Sequence, residues 1–296
     1  MRETTDITAA GATRRRFALA AAVLPLALLV TWDGVRGAGP QEAGGERAQD
    51  AEAVTQAAIA RPPGIVTRAE WGADETLRSG PTTYTGAVKA VFVHHTAHPD
   101  TYDCAEAPDL LREMYAYHVG LRGWDDLGYN FMVDKCGTIY EGRSGGLERN
   151  AYGAHTEGFN SDTVGVAVLG TYDQLEPPRE VLDAIARIAA WKLRSGVDPR
   201  ARTQLVSTNG DSRFAEGAAV EVEVISGHRD TSYTHCPGEA LYAALPVIRT
   251  EAARLRSEAA QALAGGGAGA PEAPDTPDVP GGEAVREEPR MPSGPP

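Results

Sequence analysis

The sequence predicts an α/β domain in which a mostly buried, mixed central β-sheet is flanked by about three α-helices. Short runs of β-branched and aromatic residues recur between residues 89 and 225, each brief enough for a buried strand. Longer stretches with apolar residues three and four apart lie between those runs. The two patterns alternate along the chain, which is the order that builds a sheet covered by helices.

Residues 89–94 (Lys-Ala-Val-Phe-Val-His) read as the first strand. Residues 109–118 have helical spacing, and Pro108 suits a first helical turn, where its missing N–H goes unnoticed. Residues 130–134 and 138–141 flank Lys135-Cys136-Gly137 in a hairpin pattern. Residues 163–169 form a strand stopped by Gly170, and residues 178–195 place Val181, Ile185, Ile188 and Leu193 on one face of a helix. Residues 220–225 are one further strand, ending at Ser226-Gly227-His228. After Pro237-Gly238 a last helix carries Leu241, Leu245, Ile248 and Leu255.

Both ends read differently. Thr13-Arg14-Arg15-Arg16-Phe17 leads into an uncharged Ala/Leu/Val run that reaches Trp32, so residues 1–39 are expected to be a signal peptide. The run is short for a membrane span, which needs about 20 residues. The Thr-Arg-Arg-x-Phe start resembles a twin-arginine signal, with an ordinary secretory signal or an uncleaved anchor as alternatives. Residues 40–63 have linker composition, and residues 264–296 form an acidic tail rich in Pro and Gly that buries too little apolar surface to offset its ordering entropy. The folded domain is therefore placed at residues 64–263. A secreted or wall-associated monomer with no stable membrane span after processing is the expectation. With 28 basic against 41 acidic residues and a net charge of −13, the chain offers no nucleic-acid-binding surface, which needs clustered Lys and Arg.

All 7 histidines lie between His94 and His235. His94 closes one expected strand, His228 closes another, and Cys236 follows eight residues later. Strand ends at one edge of a sheet converge, so two imidazoles and a thiolate can meet there. Three such ligands leave a fourth position for water, the layout of a catalytic zinc; the alternative is a set of ordinary polar loop residues. The 3 cysteines bear on the choice. In an exported protein Cys104 and Cys136 can form a disulfide, leaving Cys236 as a thiol that metal coordination would protect. The pairings Cys104–Cys236 and Cys136–Cys236 would instead abolish the site.

Several blocks carry a family resemblance. They are Val91-Phe92-Val93-His94-His95-Thr96-Ala97, Gly123-Trp124-Asp125-Asp126-Leu127-Gly128-Tyr129-Asn130-Phe131, Ile139-Tyr140-Glu141-Gly142-Arg143, Ser226-Gly227-His228-Arg229-Asp230 and Cys236-Pro237-Gly238. Trp71-Gly72-Ala73 and Gly153-Ala154-His155-Thr156 extend the set. Together they resemble the peptidoglycan recognition proteins and the zinc-dependent N-acetylmuramoyl-L-alanine amidases (type 2 amidases), from about residue 65 to residue 245. The resemblance implies Zn2+ held by His94, His228 and Cys236, and hydrolysis of the amide joining N-acetylmuramic acid to L-alanine in peptidoglycan or muropeptides. It implies that Tyr129 is the active-site tyrosine and that Thr234 holds a position occupied by Lys in a phage member and commonly by Thr in others. Family members that bind peptidoglycan without cutting it typically lack the cysteine ligand. A non-catalytic recognition module is accordingly the alternative function, and the retained Cys236 favours the enzyme.

The remaining candidates have two readings each. His118 and His155 are expected to line the substrate groove, against a helix-surface or loop role. Arg143 can pair with a substrate carboxylate or serve as a structural residue beside the hairpin. His95 reads as a packed strand residue, His98 and His235 as solvated loop residues, and Trp71, Trp124 and Trp191 as core aromatics.

Overall fold

The computed structural model describes residues 59–266. The expected signal peptide, with its twin-arginine-like start, and most of the expected linker and tail lie outside the described residues.

A five-stranded sheet organises the domain. Its strands are β1 (Ala90–His95), β2 (Phe131–Val133), β3 (Ile139–Glu141), β4 (Thr163–Val168) and, last in the chain, β7 (Ile225–Gly227). They lie in the order β3-β2-β4-β1-β7. All neighbours are parallel except β2 and β3, which form the expected antiparallel hairpin. Every residue of these five strands is buried, as expected when both faces of a parallel sheet are covered.

Two long helices cover one face. They are α3 (Arg179–Lys192) and α5 (Leu245–Gly266), the latter entered through the short α4 (Glu239–Ala243). Val91, Val93, Val164 and Val166 point into this layer, where they join Val181, Ile185, Ile188 and Ile248. The other face receives α1 (Arg68–Trp71) and α2 (Ala107–Ala116), whose Trp71, Leu111, Met114 and Tyr115 cluster with Met132, Ala167 and Leu169. Pro108 occupies the first turn of α2, and the helix runs on into a π turn at Tyr117–Leu121. A disulfide joins Cys104, just before α2, to Cys136 in the β2–β3 turn, with 6.3 Å between the Cα atoms; Cys236 is free and buried.

Two expectations change. The single strand at residues 220–225 is in fact two. β6 (Ala219–Glu223) pairs antiparallel with β5 (Arg202–Val206) in a separate hairpin, and the chain then joins the main sheet as β7. Val224 makes the hand-over: its N–H donates to Ala201 O at 2.9 Å while its carbonyl accepts from Val91 N–H at 2.8 Å. The side chains show the same break, since Glu221 is exposed between buried Val220 and Val222 whereas all of β7 is buried. The last helix is likewise divided, into α4 and α5. The hairpin lies over Ala90 and Phe92, where Leu205, Val220, Val222 and Phe159 cluster.

Strand alternation now places the site. Val91 and Val93 face α3 and α5, so Phe92 and His94 point to the opposite face. Asn130 ties the neighbouring segments together, donating to Ala151 O at 2.8 Å and accepting from Gly165 N–H at 2.8 Å.

Candidate metal centre

Three side chains from distant parts of the chain converge where β1 and β7 end. His94 is at the end of β1, His228 begins the 3-10 turn after β7, and Cys236 sits in the loop before α4. Their ligand atoms all lie within 4.8 Å of one another. The rings of His94 and His228 have centroids 4.6 Å apart, and His94 Nδ1 is 3.7 Å from Cys236 Sγ.

Burial sets the charge state of these groups. Removal from water holds both imidazoles below the usual histidine range, His228 at about 4 and His94 well below its ordinary value, with the neighbouring histidines adding to the effect at His94. Both rings are thus neutral at physiological pH, the form a metal requires. Burial also pushes the Cys236 thiol up to about 12, opposed by the His95 N–H that donates to Sγ at 3.3 Å.

The far side of His94 is engaged. Its Nε2 lies 3.3 Å from His155 Nδ1 and 3.4 Å from Thr156 Oγ1. Nδ1 is therefore the nitrogen left to face Cys236 and a metal. Two imidazoles and one sulfur whose ligand atoms lie within 4.8 Å of one another fit Zn2+ in both donor type and number. Cys104 and Cys136 also lie near Asp134, but their sulfurs are consumed by the disulfide.

A cleft of 510 Å³ opens beside this triad, lined by Thr96, Met114, Tyr117, His118, Trp124 and Tyr129 among others. The Tyr129 ring is 5.1 Å from that of His94, and burial raises its hydroxyl pKa, so the phenol keeps its proton. His118 is held at about 4 by burial, with Arg122 and Arg143 contributing. Its Nδ1 accepts from Gly128 N–H at 3.2 Å, which leaves the neutral ring's proton on Nε2. Thr234 Oγ1 accepts from Cys236 N–H at 3.1 Å and so braces the turn that presents the sulfur.

The expected site residues thus divide. His94, His228 and Cys236 come together, Tyr129 and His118 share the adjoining cleft, and Thr234 lies on the ligand loop. Arg143 does not line the cleft: it is 4% exposed, its guanidinium spent on the Asp125 carboxylate and on Leu127 O at 3.2 Å. His155 is also not a lining residue. It is buried behind His94, against two glycines whose added Cβ atoms would sit 2.4 Å (Gly153) and 2.3 Å (Gly165) from its ring. Those flanking glycines are the signal that marks a ring with no room around it. His95 packs as expected, its Nδ1 accepting from Tyr172 N–H at 3.2 Å. Trp71 is core and Trp191 packs on Phe131, but Trp124 is a cleft residue, its ring tilted against that of His118 at 4.5 Å with Arg122 over its face. His98 lines the same cleft instead of standing in open solvent.

Fold and site together define an α/β domain with a candidate His-His-Cys metal-ligand set at the end of a mixed sheet, next to an aromatic-lined cleft. The sequence profile of the N-acetylmuramoyl-L-alanine amidase family matches residues 84–239, and the chain belongs to that family. Among its relatives, peptidoglycan-recognition protein LB of Drosophila melanogaster is 30% identical over 183 residues, covering 60% of this chain and 66% of the fly protein. The N-acetylmuramoyl-L-alanine amidase of Mus musculus is 33% identical over 184 residues, covering 61% of this chain and 30% of the mouse protein. The chain thus spans just under two thirds of the first relative and under one third of the second. The crystal structure of Drosophila peptidoglycan recognition protein SD aligns with a TM-score of 0.47 at 26% identity, over 62% of this chain and 92% of that one.

Proposed function

We propose that the protein is a zinc-dependent N-acetylmuramoyl-L-alanine amidase that cleaves the amide between N-acetylmuramic acid and L-alanine in peptidoglycan. The observation that carries this is the candidate ligand set, with the sulfur of the free, buried Cys236 and a ring nitrogen of each histidine all within 4.8 Å of one another. Zinc, when bound there, supplies a Lewis acid and brings the pKa of a coordinated water toward about 7. His94, His228 and Cys236 hold the metal, and the His155–Thr156 pair fixes the ring of His94 so that Nδ1 is the ligand atom. Tyr129 holds its phenolic proton and donates it as a hydrogen bond to the oxyanion that develops as the amide carbonyl is attacked. Thr234, whose oxygen accepts from Cys236 N–H, keeps its own hydroxyl proton for the same oxyanion. The cleft residues His118 and Trp124 orient the substrate.

The enzyme acts outside the cytoplasm in this reading, since the Cys104–Cys136 disulfide suits an oxidising compartment. No helix among the described residues is long and apolar enough to cross a membrane.

Incubation with purified cell walls, with and without chelator, tests the activity by the appearance of new alanine amino termini. Cys236→Ser is expected to lose most bound zinc and nearly all turnover, because a neutral hydroxyl is a far poorer zinc ligand than a thiolate. Muropeptide binding without zinc and without new amino termini in the unaltered protein would instead establish the non-catalytic recognition module.

A further inference from the structure

The β5–β6 hairpin stands outside the central sheet, and the chain between its strands folds back toward the ligand loop. That return is pinned at two levels. Phe214 packs edge-on against Phe159 with ring centroids 6.1 Å apart, and Arg213 N–H donates to Thr231 O at 2.9 Å. Arg213 is thereby delivered to a second cavity, of 560 Å³, walled in part by Ser232, Tyr233, Thr234 and His235, the residues that lead to Cys236.

The polar groups of this cavity are unevenly committed. Asp230 is its acidic residue, but Oδ2 accepts from Gly227 N–H at 2.9 Å and Oδ1 accepts from the Tyr242 hydroxyl at 2.6 Å. Arg229 lies flat over the Tyr242 ring at 3.7 Å and pairs with Glu239 at 2.7 Å. Arg213 is different. Its Nη1 donates to Arg229 O at 3.0 Å, and no carboxylate among the described residues lies within ion-pair distance of it. The Ser232 hydroxyl, in the wall of the same cavity, is buried with no protein partner. Tyr233 is 85% exposed at the rim, its ring 5.7 Å from the Arg213 guanidinium. Arg213 is exposed, so its guanidinium is open to a ligand entering the cavity.

We propose that this cavity is an oxyanion subsite for the substrate, in which Arg213 receives a carboxylate or phosphate group of the wall polymer through its planar fork and Ser232 adds a hydroxyl donor. The inference rests on the amidase reading and extends it. Thr234, which lines this cavity, accepts from Cys236 N–H at 3.1 Å, so the cavity adjoins the loop that presents the sulfur and offers a place for polymer beyond the cleaved amide. The group it holds comes either from a free stem-peptide carboxylate or from a phosphate polymer attached to the glycan.

The test compares the full-length protein with Arg213→Gln and Arg213→Lys. Substrates are muropeptides with free or amidated stem carboxylates, and walls before and after acid removal of phosphate polymers. Charge-assisted hydrogen bonds of this kind correspond to about 10- to 100-fold in affinity. Arg213→Gln is expected to raise KM by about tenfold on the anionic substrate with kcat and zinc content close to the unaltered protein's, and Arg213→Lys is expected to recover part of the loss. A difference confined to free-carboxylate muropeptides assigns the peptide as the source; one confined to phosphate-bearing walls assigns the phosphate. Equal KM for all three proteins on every substrate overturns the subsite. Binding of the same muropeptides, measured by calorimetry without turnover, decides the question even if the unaltered protein releases no alanine amino termini. In that case only the amidase reading fails.

Discussion

Tyr129 shows how one residue's surroundings decide its chemistry. Its ring packs 5.1 Å from His94 and 5.8 Å from His118, and burial is the main reason its hydroxyl is held protonated. A phenol in that state is a donor and not a base, and the oxyanion it would serve exists only while the amide is being attacked. Tyr129→Phe removes the donor and keeps the ring, so binding and metal content should stay while turnover falls. Loss of one such donor typically lowers kcat by about 100- to 1,000-fold. Steady-state kinetics on a soluble muropeptide, with zinc measured in parallel, read this directly. Near-normal kcat at full zinc occupancy would remove Tyr129 from the chemistry and leave it as packing between His94 and His118.

At the scale of elements, α2 and its π turn at Tyr117–Leu121 carry His118 into the cleft wall, where Gly128 N–H fixes the ring. Burial, aided by Arg122 and Arg143, takes its pKa from 6.5 to about 4. Between those values the unfolded chain binds a proton that the folded chain refuses. The folded state therefore keeps its full stability above pH 6.5 and loses it as pH falls toward 4, by on the order of 3 kcal/mol from this residue. His118→Gln keeps an acceptor for Gly128 N–H and does not titrate. Denaturant unfolding of the metal-free proteins at pH 7 and pH 4.5 should show the unaltered chain losing more stability than the variant, the other histidines cancelling in the difference; parallel losses would contradict it. The π turn itself was not legible in the sequence, because the apolar spacing of residues 109–118 is that of an ordinary helix. The same holds for β5, where only Leu205 is buried and Arg202-Thr203-Gln204 present no apolar run. β1, β4 and α3 were legible, because strands buried on both faces read as continuous apolar runs and α3 carries one clear stripe. Side-chain direction was the weak point. His155, Arg143 and Trp124 sit in recognisable blocks, yet no spacing rule says whether a ring turns toward the cleft or away from it.

Across the whole molecule, the proposed metal would join segments that the chain keeps far apart. His94 belongs to the inner strand β1, whereas His228 and Cys236 come from the turn and loop that follow the edge strand β7. The β7 edge is short, paired to β1 over Val91–Val93 only, so a bond across its end reinforces a place where the sheet has few ladder contacts. A ligand that binds the folded chain and not the unfolded one stabilises it by RT ln(1 + [L]/Kd), about 2.7 kcal/mol at a hundredfold excess over Kd. For a domain of this size that corresponds to a Tm rise of roughly 5–10 °C. Protein stripped with chelator and dialysed should melt lower by that amount, recover on adding zinc, and show no recovery in Cys236→Ser. The last condition separates a site effect from general ionic stabilisation, since the serine variant keeps the fold and both imidazoles. Identical melting of stripped and zinc-restored protein would mean that the three side chains converge without holding a metal, and the amidase reading would lose its catalytic element.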